Sequence, residues 1–218
     1  MLRNNRNSGI VILLRSLSGW AEEFLSVLSA EGIPAFAESR TGYFTAVEVE
    51  TVLNMLAIID NPMQDIPLVG VLKSPIGGLT DRELAMIMAE FKRNADKGQN
   101  VGFYGAVRMY LETVEKEIED LVAAGQITNA VDLFSVLGRG TVRNRFGRGF
   151  ESRLVIYEKL RTFWDLLTDL RRESGYLPVH RFIYRVFERT GYYDYVSAMP
   201  AGKVRQANLN MLVEKAAA

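Results

Sequence analysis

Three observations predict a mainly α protein of seven or eight helices with a small α/β piece at its start. A β-branched run lies near the N terminus, helical periodicity takes over after Thr45 and persists to the end, and only two segments read as short strands. Two strands do not make an independently stable sheet, so residues 1–45 are expected to be one edge of an incomplete α/β domain.

The first element is Ile10-Val11-Ile12-Leu13-Leu14, a run without alternation that suits a strand covered on both faces. A helix follows, with Ala21, Phe24, Leu25 and Leu28 at helical spacing and Gly32 as its stop, and residues 33–37 read as the second strand. Thr45-x-x-Glu48 reads as a capping box that opens a helix with Val49, Val52, Leu53, Leu56 and Ile59 on one face, ended by Asn61-Pro62. Asp65 is expected to cap a short helix to Lys73, which Ser74-Pro75 breaks, and Thr80-x-x-Glu83 is expected to cap the next, with Leu84, Ile87, Met88 and Phe91 apolar. After a loop over 94–102, Phe103, Val107, Leu111, Val114, Ile118 and Leu121 keep 3-4 spacing until Gly125. Further periodic stretches lie near 128–137, 151–173 and 178–190, and the last helix starts near Lys203. Residues 138–149 separate two of them as a glycine-rich loop.

Composition excludes several chemistries. With no cysteine and one histidine, neither a disulfide framework nor a Cys/His metal site is available. No uncharged apolar run approaches the roughly 20 residues of a membrane helix, and the N-terminal run over 9–14 is too short for a signal peptide, so a soluble, cytoplasmic chain without a membrane partner is expected. Basic and acidic side chains balance at 26 each, but unevenly: residues 1–138 carry 11 basic against 18 acidic, and 139–218 carry 15 against 8. A chain polarised in this way can turn a cationic face to phosphates.

No catalytic constellation emerges. Gly202-Lys203 lacks the glycine and hydroxyl residue of a Walker loop, and Gly138-x-Gly140 meets Arg143 where a dinucleotide loop needs glycine. There is no Gly-x-Ser-x-Gly elbow, His180 stands alone in a helix, and Glu115, Glu117, Glu119 and Asp120 read as a solvated face. No catalytic, cofactor-binding or metal-binding residue is therefore assigned.

Anion contact is the chemistry that remains. Arg139, Arg143, Arg145, Arg148 and Arg153 crowd a glycine-rich stretch, which suits either a polyanion or a solvated loop between helices. The turn Ser74-Pro75-Ile76-Gly77-Gly78-Leu79-Thr80 stands before a capped helix, where it either offers amides to a phosphate or only joins two helices. Tyr192, Tyr193 and Tyr195 beside Lys203 and Arg205 read as a single-strand surface or as core tyrosines, and the two cations near a helix start would welcome an anion.

Several of these segments, in order, resemble one family. Gly9-Ile10-Val11-Ile12-Leu13-Leu14-Arg15-Ser16 looks like a motor-domain strand, and Gly42-Tyr43-Phe44-x-x-x-Glu48-Val49 is similar to the following helicase motif. Asp60-Asn61-Pro62-x-Gln64-Asp65-Ile66-Pro67-Leu68, Val71-Leu72-Lys73-Ser74-Pro75-Ile76 and Met199-Pro200-x-Gly202-Lys203-x-Arg205-Gln206-Ala207-Asn208-Leu209 are more specific still. Together they resemble the A subunits of bacterial AddAB-type ATP-dependent helicase/nucleases, within the UvrD/Rep-like superfamily 1 helicases. Residues 92–150 carry no motif of that family.

The resemblance implies a partial second RecA-like motor domain over 1–45 and a helical accessory domain, inserted into the motor, over 46–218. It further implies a fragment of a helicase with exonuclease activity that acts in double-strand-break repair and recombination. ATP and Mg would be bound by the full-length protein outside this segment, and the fragment itself would be inactive. DNA, as a single strand and as duplex near a fork or end, and the B subunit would be its partners. Arg15 and Ser16 would meet a single-strand phosphate, Gly77 and Gly78 would resemble in part a turn on duplex phosphates, and Tyr43, Phe44 and Thr80 are further DNA-binding candidates. With Arg143, Arg145, Arg148, Lys203 and Arg205 from composition, these make the expected sequence-indifferent DNA surface. The alternative is a helical module that docks another protein of the same assembly.

Overall fold

Apolar residues spaced three and four apart after Val47 build a helical assembly, seen here in a computed structural model. The structure describes residues 11–13, 24–25, 27–28, 31–33, 35, 43–94, 102–129, 133–134 and 141–217. The chain divides into two compact units, 1–46 and 47–218.

In the first unit, residues 24–25 and 27–28 are helical, and the Ile33 N–H donates to the Leu28 carbonyl at 2.8 Å across Gly32 in the left-handed region. This bond, five residues back, is the helix stop expected at that glycine. The strands expected over 10–14 and 33–37 fall in part outside the described residues; Val11, Ile12, Leu13, Ile33 and Ala35 carry no strand assignment. Arg15 and Ser16 lie outside the described residues.

The second unit is all helical among its described residues. Its helices are α1 (Val47–Asp60), α2 (Asp65–Lys73), α3 (Asp81–Asn94), α4 (Gly102–Ala123), α5 (Thr141–Phe146), α6 (Arg148–Ser174), α7 (Val179–Thr190), α8 (Tyr192–Ser197) and α9 (Gly202–Ala217). At 27 residues α6 is about 40 Å long. It is the central strut, in contact with α1, α4, α5 and α7. Its seam of Leu154, Tyr157, Leu160, Phe163, Leu167 and Leu170 is buried in a core shared with Ile87 of α3 and Val107 and Val114 of α4. Around α9, Leu209, Leu212 and Val213 are buried, as are Ile183, Tyr192 and Val196 of the adjoining α7 and α8.

The seam expected for α4 is buried at Phe103, Val107, Leu111, Val114 and Ile118. Gly125 ends the helix through bonds from the Gln126 and Gly125 amides to the Leu121 and Val122 carbonyls. In α1 the buried face is rotated from expectation, because Met55 and Ile58 are fully buried whereas Leu53 and Leu56 are half-buried. The stretch expected as a loop over 138–149 holds α5 and the start of α6, with Gly147 as the break between them. Val142, 1% exposed, anchors α5, and the Phe146 and Phe150 rings meet at 5.4 Å. Burial of apolar side chains here outweighs the turn preference of the glycines. The helix expected near 128–137 is described at Leu133 and Phe134, and the Phe134 ring stacks on Tyr157 at 5.8 Å.

Two helix ends are completed from a distance. Asp65, expected to cap its own helix, instead accepts the Phe103 amide of α4 at 2.8 Å through its carboxylate. A Cβ on Gly102, at φ +66°, would stand 2.9 Å from that carboxylate, so this position requires glycine. At the other end of α1, the Arg171 guanidinium of α6 donates to the Ile58 and Asp60 carbonyls, both at 3.3 Å.

Candidate nucleic-acid interface

Between α2 and α3 the amide donors expected to face a phosphate are used by the chain itself. The Gly77 and Gly78 amides both donate to the Ser74 carbonyl, at 3.1 and 2.8 Å, and the Leu79 amide donates to the Leu72 carbonyl at 2.9 Å. A Cβ on Gly77 would collide with the Leu72 backbone, so this glycine serves close helix packing. The Thr80 amide donates to the Glu83 carboxylate at 2.7 Å, while the Glu83 amide donates to the Thr80 hydroxyl at 3.3 Å. That reciprocal pair is the expected capping box. The amides of Gly77, Gly78 and Thr80 are thus bonded within the chain.

Glu83 is also the anchor of α3 on α6, through Lys159 Nζ at 2.8 Å from Oε1. Burial alone would raise the Glu83 carboxyl; the bonds from Lys159 and Thr80 outweigh it and hold the group below the ordinary carboxylate range. Beside this pair lies an open recess of 340 Å³ whose walls include Ile76, Val155, Phe163 and Leu166.

Among the basic residues, two roles separate. Arg153 is internal: its guanidinium meets Glu90 of α3 at 2.8 Å and Glu117 of α4 at 2.7 Å, and the Tyr110 hydroxyl donates to its carbonyl at 3.0 Å. Burial, with the Glu90 charge, pushes Tyr110 well above the ordinary phenol range. Nearby, Tyr157 donates to Glu115 at 2.9 Å and is pushed up to about 12 by burial and that bond. Glu115 accepts this bond from the exposed face expected for it, and Glu117 is half-buried against Arg153. In contrast, Arg145 and Arg148 are exposed, with no ion-pair partner among the described residues; the Arg145 guanidinium lies 5.3 Å over the Phe146 ring. Arg143 is placed in α5, and its side chain is outside the described residues.

The cations expected at the start of α9 also divide. Lys203 is exposed. Arg205 meets Glu48 at 2.6 Å, and Asn208 donates to the other Glu48 oxygen at 2.7 Å. Glu48, 4% exposed, is thus the anion that Arg205 needed, and it lies 157 positions earlier in the chain. Arg205 is therefore paired within the fold while its side chain stays 30% exposed. This cluster ties the first turn of α1 to α9. Of the tyrosines, Tyr192 is 3% exposed and belongs to the core, Tyr193 donates to Asn210 at 3.2 Å, and Tyr195 remains exposed. In the first unit, the Tyr43 and Phe44 rings meet edge-on at 4.9 Å, with Phe44 exposed.

Sequence reasoning missed Glu48, Glu90 and Asn208 as partners of the cations. The available signal was a charge set in an apolar seam: Glu48 adjoins buried Val49, and Arg153 lies between Phe150 and Tyr157 at i+3 and i+4 spacing. Among the described residues there is no group of three or more His, Cys, Asp or Glu that could hold a metal ion. Nor is any described helix long and apolar enough to cross a membrane. At the nearest approach to a Walker loop, Gly202 is buried, and a Cβ on it would collide with the Ser197 carbonyl.

No family model matches the chain. Curated relatives match it along nearly its whole length. The A subunit of the ATP-dependent helicase/nuclease of Lachnoclostridium phytofermentans is 38% identical over 211 residues, covering 95% of this chain and 15% of that protein. The protein of the same name from Bacillus velezensis is 38% identical over 214 residues, covering 98% and 14%. That of Clostridium botulinum is 36% identical over 214 residues, covering 98% and 15%. The chain spans 14 to 15% of the length of these relatives.

Proposed function

The chain corresponds, along nearly all of its length, to one segment of the A subunit of ATP-dependent helicase/nucleases, and we propose that it is a non-catalytic, DNA-gripping part of such an enzyme. In this reading residues 1–45 are part of a second RecA-like motor domain, and 46–218 form the helical accessory domain inserted into it. ATP and Mg²⁺ bind to other parts of the longer protein, which unwinds and degrades DNA ends in recombinational repair in the cytoplasm. A B subunit completes the assembly.

Contact with DNA falls to exposed cations. Arg145, Arg148 and Lys203 of the helical unit meet phosphates, and Tyr195 offers a ring to an unstacked base; Arg143, Arg15 with Ser16, and Tyr43 with Phe44 are further contacts taken from the sequence. Turn amides are left out because the chain already bonds them. Sequence-indifferent binding is what such a surface provides, since guanidinium and ammonium groups read charge and spacing rather than base edges.

The observation that carries this reading is the match to the helicase/nuclease relatives over 95 to 98% of the chain. Its test is binding of the purified chain to labelled duplex, forked and single-stranded DNA, beside an assay of ATP turnover. Binding without turnover supports the reading, and ATP hydrolysis by the chain alone contradicts it.

A second reading, docking of the B subunit, draws on Ile66 and Tyr176, which are 87% and 84% exposed. The Arg171 bonds bring the end of α6 to the end of α1, and these two apolar side chains follow those helix ends in the chain. Reversing the charges of Arg143, Arg145 and Arg148 separates the readings: lost DNA affinity supports the grip, whereas unchanged affinity with lost B-subunit binding supports docking.

A further inference from the structure

Two ion pairs fix how α3 lies on α6. Lys159 meets Glu83 at 2.8 Å, and Arg153, six residues earlier on α6, meets Glu90, seven residues later on α3, also at 2.8 Å. Rising numbers on one helix pair with falling numbers on the other, so the two run antiparallel. One more turn of this register brings the last turn of α3 to the first turn of α6.

That end carries basic residues from two distant parts of the sequence. Lys92 and Arg93 are exposed in the last turn of α3. Arg148 is exposed at the first position of α6, and Arg145 is exposed near the end of α5, with Gly147 between the helices. None of the four has an ion-pair partner among the described residues. Glu90 and Glu117, the acids that reach toward this end, are both engaged by Arg153. Glu151, half-buried one turn into α6, is the acid that shares this end of the helix.

We propose that Lys92, Arg93, Arg145 and Arg148 form one surface that binds the sugar-phosphate backbone of DNA. This rests on the DNA-gripping reading above and deepens it by adding α3, which the sequence motifs do not reach. Lys92 and Arg93 also complement the α3 dipole, a role that an isolated helix end would satisfy alone. Their coincidence with Arg145 and Arg148 is what extends the argument to a ligand. Four separate, exposed cations match a repeating polyanion, whereas a single phosphate ion needs donors that converge on one point.

The test is fluorescence anisotropy with a labelled duplex on the full chain, comparing wild type with the Lys92→Glu/Arg93→Glu and Arg145→Glu/Arg148→Glu pairs. Arg181→Glu, exposed on α7, is the control, and circular dichroism checks that each variant is folded. Both pairs are expected to weaken binding about tenfold or more at low salt. Each should reduce the slope of log affinity against log salt by about 1.8, the loss of two phosphate contacts at about 0.9 each. Arg181→Glu should bind as wild type, and millimolar inorganic phosphate should not displace the duplex beyond its effect on ionic strength. Full affinity in Lys92→Glu/Arg93→Glu together with loss in Arg145→Glu/Arg148→Glu overturns the shared surface and leaves the DNA reading standing. Absence of binding by the wild type overturns both.

Discussion

Removing the Arg205 side chain beyond its aliphatic stem, as Arg205→Met does, leaves the Glu48 carboxylate 4% exposed, held by the Asn208 amide at 2.7 Å. Breaking a buried pair from one side costs about 3–5 kcal/mol, since the remaining charge stays out of water. Arg205 is 30% exposed, so water already screens part of the attraction, and about 3 kcal/mol is the expected loss. With a urea dependence of about 2 kcal/mol/M, the midpoint of unfolding falls by about 1.5 M. Adding Glu48→Gln removes the stranded charge and keeps an oxygen for Asn208, so the double variant should recover more than half of that shift. Urea titration followed by circular dichroism reads both numbers. An unchanged midpoint in Arg205→Met, or a double variant whose loss equals the sum of the two single losses, would refute the claim that this pair closes the helical unit.

Three other outcomes follow from the same geometry. Gly102→Ala forces φ +66° on a side chain and crowds Asp65, for a loss of about 2–3 kcal/mol and a drop of about 6 °C in Tm measured by calorimetry. Because Glu83 is held below the ordinary carboxylate range, its contribution is present above the unfolded pKa and lost as pH falls through its folded value. Lys159→Gln should therefore flatten the loss of stability between about pH 5 and pH 3 in acid titrations. Tyr157, raised to about 12, stays protonated in the folded chain when an unfolded tyrosine ionises near pH 10; its contribution is full below that pH and lost as pH rises through about 12. Tyr157→Phe should remove one late-ionising group from the absorbance titration at 295 nm.

Local patterns were legible wherever the partner of a residue lay within one or two turns. The α4 seam, the Thr80/Glu83 box and the glycine stops at 32 and 125 depend on neighbours three to five residues away, and spacing finds them. The Thr-x-x-Glu pattern at Thr45 did not reveal the longer reach of Glu48, which meets Arg205 and Asn208 of α9. Asp65 misled, since the amide it accepts belongs to Phe103. Composition could crowd arginines between 139 and 153 but could not tell Arg153, bound by Glu90 and Glu117, from exposed Arg145 and Arg148. Lys92 and Arg93 entered the candidate surface only through the register of α3 on α6, a relation between segments some sixty residues apart. The glycines at 147 and 149 suggested a loop, while buried Val142 and Phe150 held helix on either side.

The most direct measurement is the affinity of the wild-type chain for two duplexes of unrelated sequence, titrated from 25 to 200 mM salt, about the range over which counterion release is steep. A backbone grip predicts equal affinities for the two duplexes and a log-log slope of at least about −3.6, near 0.9 for each phosphate met by Lys92, Arg93, Arg145 and Arg148, and steeper by about 0.9 for each further contact made by Arg15, Arg143 or Lys203. A strong preference for one sequence, or an affinity indifferent to salt, would contradict it.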